Sequence, residues 1–236
     1  MTTRTLAMAL ILLLVLLAGQ IRSFGATIFW GTKPNDLLFD SSGNALDSRF
    51  IFEIGVFNSG FTPMASNMDQ WAANWMVFDA ALLGDGWDAN QQEVNASADH
   101  TLSGGSSSPD ALPASVFAQG QQAYLWVYDS KSYALTSQWA LLADLDKGPN
   151  VFPGGWEFPD PSDELGSFDW QTRDLDTAIF GGVNDIQGEG LYTVNPGTFT
   201  LQTHAVPEPG SAMLLTLAGW LVLNCRTLAR RRSLTP

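Results

Sequence analysis

Two histidines, one cysteine and many carboxylates are what this chain of 236 residues has for chemistry. A Ser-His-Asp set needs a histidine held rigidly within hydrogen-bond reach of the serine. His100 lies beside a Gly/Ser-rich stretch, and His204 lies just before a proline-rich step, a poor place for rigidity. No Gly-x-Ser-x-Gly elbow occurs. Zinc sites need clusters of His and Cys, and the two histidines are isolated. Gly-x-Gly-x-x-Gly and phosphate-loop patterns are missing as well.

Carboxylates offer two further chemistries. Glycoside hydrolysis needs two of them facing across a cleft, about 5–9.5 Å apart. Asp85, Asp88, Glu157, Asp160, Asp163 and Glu164 are the candidates to inspect, although so acidic a chain will meet that distance by accident. Ca²⁺ takes carboxylate and carbonyl oxygens. Asp144-x-Asp146-x-Gly148-x-Asn150 places oxygen ligands at alternate positions, but without the Gly at position six and the Glu at position twelve of an EF-hand. A polar turn after a strand is its first reading, and Ca²⁺ is the one cofactor the sequence suggests. No catalytic, cofactor-binding or metal-ligating residue is assigned.

Aromatic rings stack on sugar faces while Asp and Asn bond the hydroxyls. Trp30, Trp71, Trp75, Trp87, Trp126, Trp139, Trp156 and Trp170 fall between the chain's two apolar ends. Trp71, Trp75, Trp126 and Trp139 lie on periodic elements and are assigned to the core. Trp87, Trp156 and Trp170 lie in acidic, Gly/Pro-rich stretches and are freer to face solvent. Packing is weighed ahead of sugar stacking for them too, and a solvent-facing row of the three would favour a carbohydrate-binding module.

These residues must be positioned by short elements. Thr27–Trp30 and Leu37–Phe39 are strand candidates. Arg49–Phe57 places Phe50, Phe52, Ile54 and Val56 at period two. Asn67–Leu82 reads as one short amphipathic helix on Met68, Trp71, Ala72, Trp75 and Met76, capped by Ser66 or Asn67 and broken at Gly84-Asp85-Gly86. Leu102–Pro113 is a loop by composition. Gln122–Asp129 is apolar on both faces, as a central strand should be. Gln138–Leu145 is its neighbour through a hairpin at Asp129–Tyr133. Gly148–Pro161 is irregular. Ala178–Phe180, Leu191–Val194 and Thr198–Thr203 close the body. The pattern predicts a mostly-β single domain of sandwich or jelly-roll type.

The chain ends read differently. Met1–Arg4 carries a charge, Leu6–Gly19 is apolar, and Ser23 and Gly25 are small. That order predicts a signal peptide over 1–25, cleaved between Gly25 and Ala26 after Sec-type export. At the other end, Val206-Pro207-Glu208-Pro209 loses two backbone donors to proline and is expected to be extended and exposed. Residues 210–229 are long and apolar enough to span a bilayer of ~20 residues. Arg226, Arg230, Arg231 and Arg232 follow within the basic tail 226–232, and such flanks stay cytoplasmic. A Pro-Glu-Pro step, an apolar helix and a basic tail over 206–236 resemble the PEP-CTERM sorting signal. The resemblance implies recognition by exosortase, a membrane-embedded Cys-dependent enzyme, which removes the tail and passes the protein to the cell surface or matrix. Extracellular polysaccharide is the neighbour it implies. The precursor would then be held in the inner membrane by its C-terminal helix.

Between those ends, over 26–205, five basic and 23 acidic residues give 5 − 23 = −18. Such a charge repels nucleic acid and anionic lipid. Cys225 lies within the predicted span, so the body folds without a disulfide. The expected function is that of an exported surface or matrix protein with a structural or adhesive, non-enzymatic body. A carbohydrate-binding module and a glycan-active hydrolase are the alternatives. A cleft with two facing carboxylates, one of them desolvated, would favour the last.

Overall fold

The computed structural model describes residues 25–145, 155–163 and 166–207. The chain is mostly β, as its alternating patterns predict. Fourteen strands are seen among the described residues: β1 (Ala26–Gly31), β2 (Leu38–Phe39), β3 (Ile51–Phe57), β4 (Trp75–Leu83), β5 (Gly86–Asp88), β6 (Glu93–His100), β7 (Tyr124–Tyr128), β8 (Gln138–Ala143), β9 (Ser167–Gln171), β10 (Thr177–Phe180), β11 (Gly182–Val183), β12 (Ile186–Gln187), β13 (Leu201–Gln202) and β14 (His204–Ala205). Ten of them form one curled sheet in the order β10-β8-β7-β3-β4-β5-β6-β1-β9, with β14 also paired to β8. The other four form a small sheet, β12-β11-β13-β2.

Strands β3, β7 and β8 carry the body's stability because both of their faces are covered. Leu125 and Val127 of β7 and Ala140 and Leu142 of β8 join one core with Phe52, Ile54 and Val56 of β3. The alternate residues Trp126, Tyr128, Trp139 and Leu141 join a second core. That division explains why both segments are apolar at nearly every position. Ile28 and Trp30 of β1, Val94 and Ala98 of β6 and Trp170 of β9 pack into the first core, so the sheet's two halves share it. Gly55 permits the close approach of β3 to β4, since a Cβ there would lie 2.2 Å from the Met76 carbonyl oxygen.

The expected helix over Asn67–Leu82 is corrected. A 3₁₀ turn covers Ala65–Gln70 and a single helical turn, α1, covers Trp71–Asn74. From Trp75 onward the backbone is strand, paired to β3 from Phe57↔Trp75 to Phe52↔Ala81. Met68 and Trp71 meet the expected apolar face and cover the second core, but long-range pairing outweighs helical spacing beyond Asn74. Asn67 does anchor the turn. Its Oδ1 accepts from the Met64 N–H at 2.9 Å and from Trp71 Nε1 at 2.9 Å.

The closing elements are shorter than expected. Thr198–Thr203 reduces to β13, and Leu191–Val194 forms only a bridge between Leu191 and Ala205. Strand β6 gives no apolar signal in the sequence, because its inward set is Val94, Ala98 and His100 rather than large apolar residues. Nor does β9, whose inward Phe168 and Trp170 are set among polar residues in a run of five.

Candidate functional site

The histidines are sealed inside. His100 is fully buried, with Nε2 2.9 Å from the Phe117 carbonyl. His204 is fully buried on β14, with Nδ1 2.8 Å from the Glu189 carbonyl and Nε2 2.8 Å from Gln187 Oε1. The expectation that His204 lacks rigidity fails, because β14 pairs with β8 at His204↔Trp139. Burial pushes both imidazoles below their ordinary pKa. Neither ring reaches solvent to serve a nucleophile.

The three tryptophans freest by local composition to face solvent are packed, the reading weighed ahead for them: Trp87, Trp156 and Trp170 expose at most 2 %. Trp156 and Trp170 stack on each other at 5.4 Å and 11°. Trp87 packs at 4.8 Å against Phe52. The row that would have favoured sugar stacking does not form, because long-range strand pairing encloses these loops.

The candidate carboxylates are not brought together as a set. Asp160 closes its own turn onto Ser162. Glu157 pairs opposite Gln122. Asp88 lines a concavity beside β5. Glu164 lies outside the described residues, as do Asp146, Gly148 and Asn150 of the expected Ca²⁺ loop. Among the described residues no group of three His, Cys, Asp or Glu is placed to hold a metal ion.

Asp85 does face other acids, but ones outside that set. It lines a cleft of about 420 Å³ with Asp79, Asp110, Asn95, Ser97 and Ser108. The cleft opens where β4 and β6 part, joined only through the short β5. Asp79 lies at its base, 6 % exposed, and accepts from Trp30 Nε1 at 2.7 Å. Burial holds its carboxyl above the ordinary carboxylate range, against the hydrogen bonds from Ser108, Trp30 and the Ala80 N–H. Partial burial, then the charges of Asp85 and Glu53, push Asp110 up too.

No family model, no curated protein and no solved structure matches this chain.

A second buried acid is spoken for by its neighbours. Glu53 on β3 accepts from Trp75 Nε1 at 2.8 Å, from the Tyr128 hydroxyl at 2.6 Å and from Lys131, whose Nζ lies 2.6 Å from Oε2. The Lys131 ammonium also stands over the rings of Trp126 at 5.5 Å and Tyr128 at 5.2 Å. Burial, first, and the adjacent Glu53 charge push the Tyr128 hydroxyl far up, so it stays protonated and donating. This cluster ties the β7–β8 hairpin to β3 and presents no open face to a substrate.

At the C-terminal edge the structure corrects one expectation. Val206, read as the first residue of an exposed step, is fully buried in the second core, and its N–H donates to the Ser137 carbonyl at 2.9 Å. Pro207 is half-buried, and Glu208, Pro209, residues 210–229 and Arg226, Arg230, Arg231 and Arg232 lie outside the described residues. At the other end Gly25 is described and β1 opens at Ala26. Among the described residues no helix is long and apolar enough to cross a membrane.

Proposed function

We propose that this is an exported cell-surface or extracellular-matrix protein, sorted through a PEP-CTERM/exosortase-like system, with a β-sandwich-like body that is structural or adhesive and not an enzyme. One observation carries the reading. Among the described residues the strands begin at Ala26 and the last core residue is Val206, which supports a body set between the two terminal signals read from the sequence. Removal of 1–25 and of everything beyond Pro207 would leave every described strand in place. The acidic body, at −18 over 26–205, suits solubility outside the cell and disfavours nucleic acid and anionic lipid as partners. The sealed histidines favour binding or architecture, while the cleft lined by Asp79, Asp85 and Asp110, with Asp79 desolvated, is the feature that favours the glycan-active hydrolase as the second reading.

The partners in this reading are Sec-type export machinery and an exosortase-like membrane enzyme, with the precursor held in the inner membrane until processed. Cell fractionation followed by immunodetection of the body tests it. The protein should appear in surface and medium fractions and be degraded by protease added to intact cells. Full protection from that protease, with the protein recovered from the cytoplasm, would contradict export.

A further inference from the structure

One face of the curled sheet has an unusual composition. Strand β1 is not an edge strand: it pairs antiparallel with β6 and parallel with β9. The register aligns outward residues in rows across the three strands. Ser97, Phe29 and Asp169 form one row, with Asp99, Thr27 and Ser167 on one side of it and Asn95, Gly31 and Gln171 on the other. Phe29 is thus the one large apolar side chain of this grid, 46 % exposed, inside a frame of short polar groups. A single exposed apolar residue needs no explanation by itself. What distinguishes this one is the space around it.

Three concavities of about 420, 450 and 490 Å³ adjoin there. Asn95 lines all three, and Phe29 lines the first two. Gly31 permits the close approach of β1 to β6. A Cβ there would lie 2.0 Å from the Val94 carbonyl oxygen. The result is a recessed surface whose concavities meet at Asn95, with the Phe29 ring between two of them and amide, hydroxyl and carboxylate groups around it.

That chemistry selects an occupant. The ring offers an apolar platform to the C–H face of a pyranose, and Asn95, Ser97 and Gln171 offer donors and acceptors to hydroxyls. Charge excludes much else. Glu93, Asp99 and Asp169 stand on this face against Lys33, which pairs with Asp169 at 3.4 Å, and the cleft at one end adds Asp79, Asp85 and Asp110. Uronate polymers, phosphorylated glycans, nucleic acid and anionic lipid are repelled. We propose that the outer face of β6, β1 and β9, centred on Phe29, binds an uncharged polysaccharide chain. This names a ligand class for the adhesive body and rests on that reading only in placing the face where polymer can reach it.

Native affinity electrophoresis of the full chain in mild detergent tests the proposal, and does so whether or not the tail is ever processed in cells. The gels contain mixed-linkage β-glucan, xyloglucan, galactomannan or pullulan as uncharged probes, and alginate as the anionic one. The protein should be retarded by at least one uncharged polysaccharide and not by alginate. Phe29→Ala should weaken that retardation about ten-fold, and Phe29→Trp should keep it. Because Phe29 is outside both cores, the melting temperature of Phe29→Ala should match wild type and separates lost binding from lost fold. Retardation by none of the four, retardation indifferent to Phe29→Ala, or equal retardation by alginate would overturn the proposal.

Discussion

The indole nitrogen of Trp30 donates to Asp79 Oδ2 at 2.7 Å, joining strands that β5 and β6 separate in the sheet. An acid at the base of a cleft is thereby held by a residue of the apolar core. The pair carries a pH signature. Burial raises the Asp79 pKa in the folded state, so the folded chain keeps a proton that the unfolded chain has lost. Stability from this group is full below the unfolded value and declines as pH rises through the folded one. Relative to wild type, Asp79→Asn should gain stability between pH 4 and pH 7. Melting curves at the two pH values measure it, and a gain of ~1 kcal/mol would appear as about 2–4 °C. A gap that does not change with pH would contradict the account.

Lys131 neutralises Glu53 from a position only 34 % exposed. Lys131→Met should leave a buried carboxylate with two neutral donors and cost about 3 kcal/mol. Adding Glu53→Gln should recover part of that loss, because the stranded charge is then gone. Urea unfolding of the two single variants and the double variant reads the coupling.

Val206 closes the second core. Val206→Ala should cost about 1–3 kcal/mol, while removal of everything beyond Pro207 should cost little. Truncation after Thr203 should be worse than either, since it deletes β14, whose His204 and Ala205 pair with Trp139 and Gln138 of β8. Thermal melts of the three proteins test the order.

The histidines predict acid sensitivity. Burial lowers the folded pKa of His100 and His204 from 6.5. Each contributes stability above that unfolded value, and the contribution is lost as pH falls below it. A His100→Gln/His204→Gln variant should start less stable at pH 7 and then lose less stability between pH 7 and pH 5 than wild type does. Equal losses would show that other groups govern the acid limb.

What was legible in the sequence follows the range of the forces involved. Strands β3, β7 and β8 announce themselves because burial on both faces makes their apolar runs nearly continuous. Strand β4 does not, because its pairing to β3 is invisible in a stretch whose first half has genuine helical spacing. Asp79 is hidden for the same reason, since it lies within the stretch whose spacing predicts a helix. Its partner Trp30 lies 49 positions away, and Lys131 lies 78 from Glu53. The Gly, Pro and acidic neighbours of Trp156 and Trp170 leave their packing undecided, because local composition says nothing of a ring that arrives from another strand to stack on them. The outward polar rows of β6 and β9 were equally hidden, since EVNASADH and SFDWQ acquire a face only once β1 lies between them.

We propose that the body between Ala26 and Val206 leaves the cell, freed from both ends. Intact-mass measurement of the native protein, taken from surface and medium fractions, tests it most directly. The account predicts a species that begins at Ala26 and ends at or shortly after Pro207, with any added mass borne by a group attached at that new terminus. A species that retains Arg230, Arg231 and Arg232 would contradict it and leave a tail-anchored protein whose body never departs from the membrane.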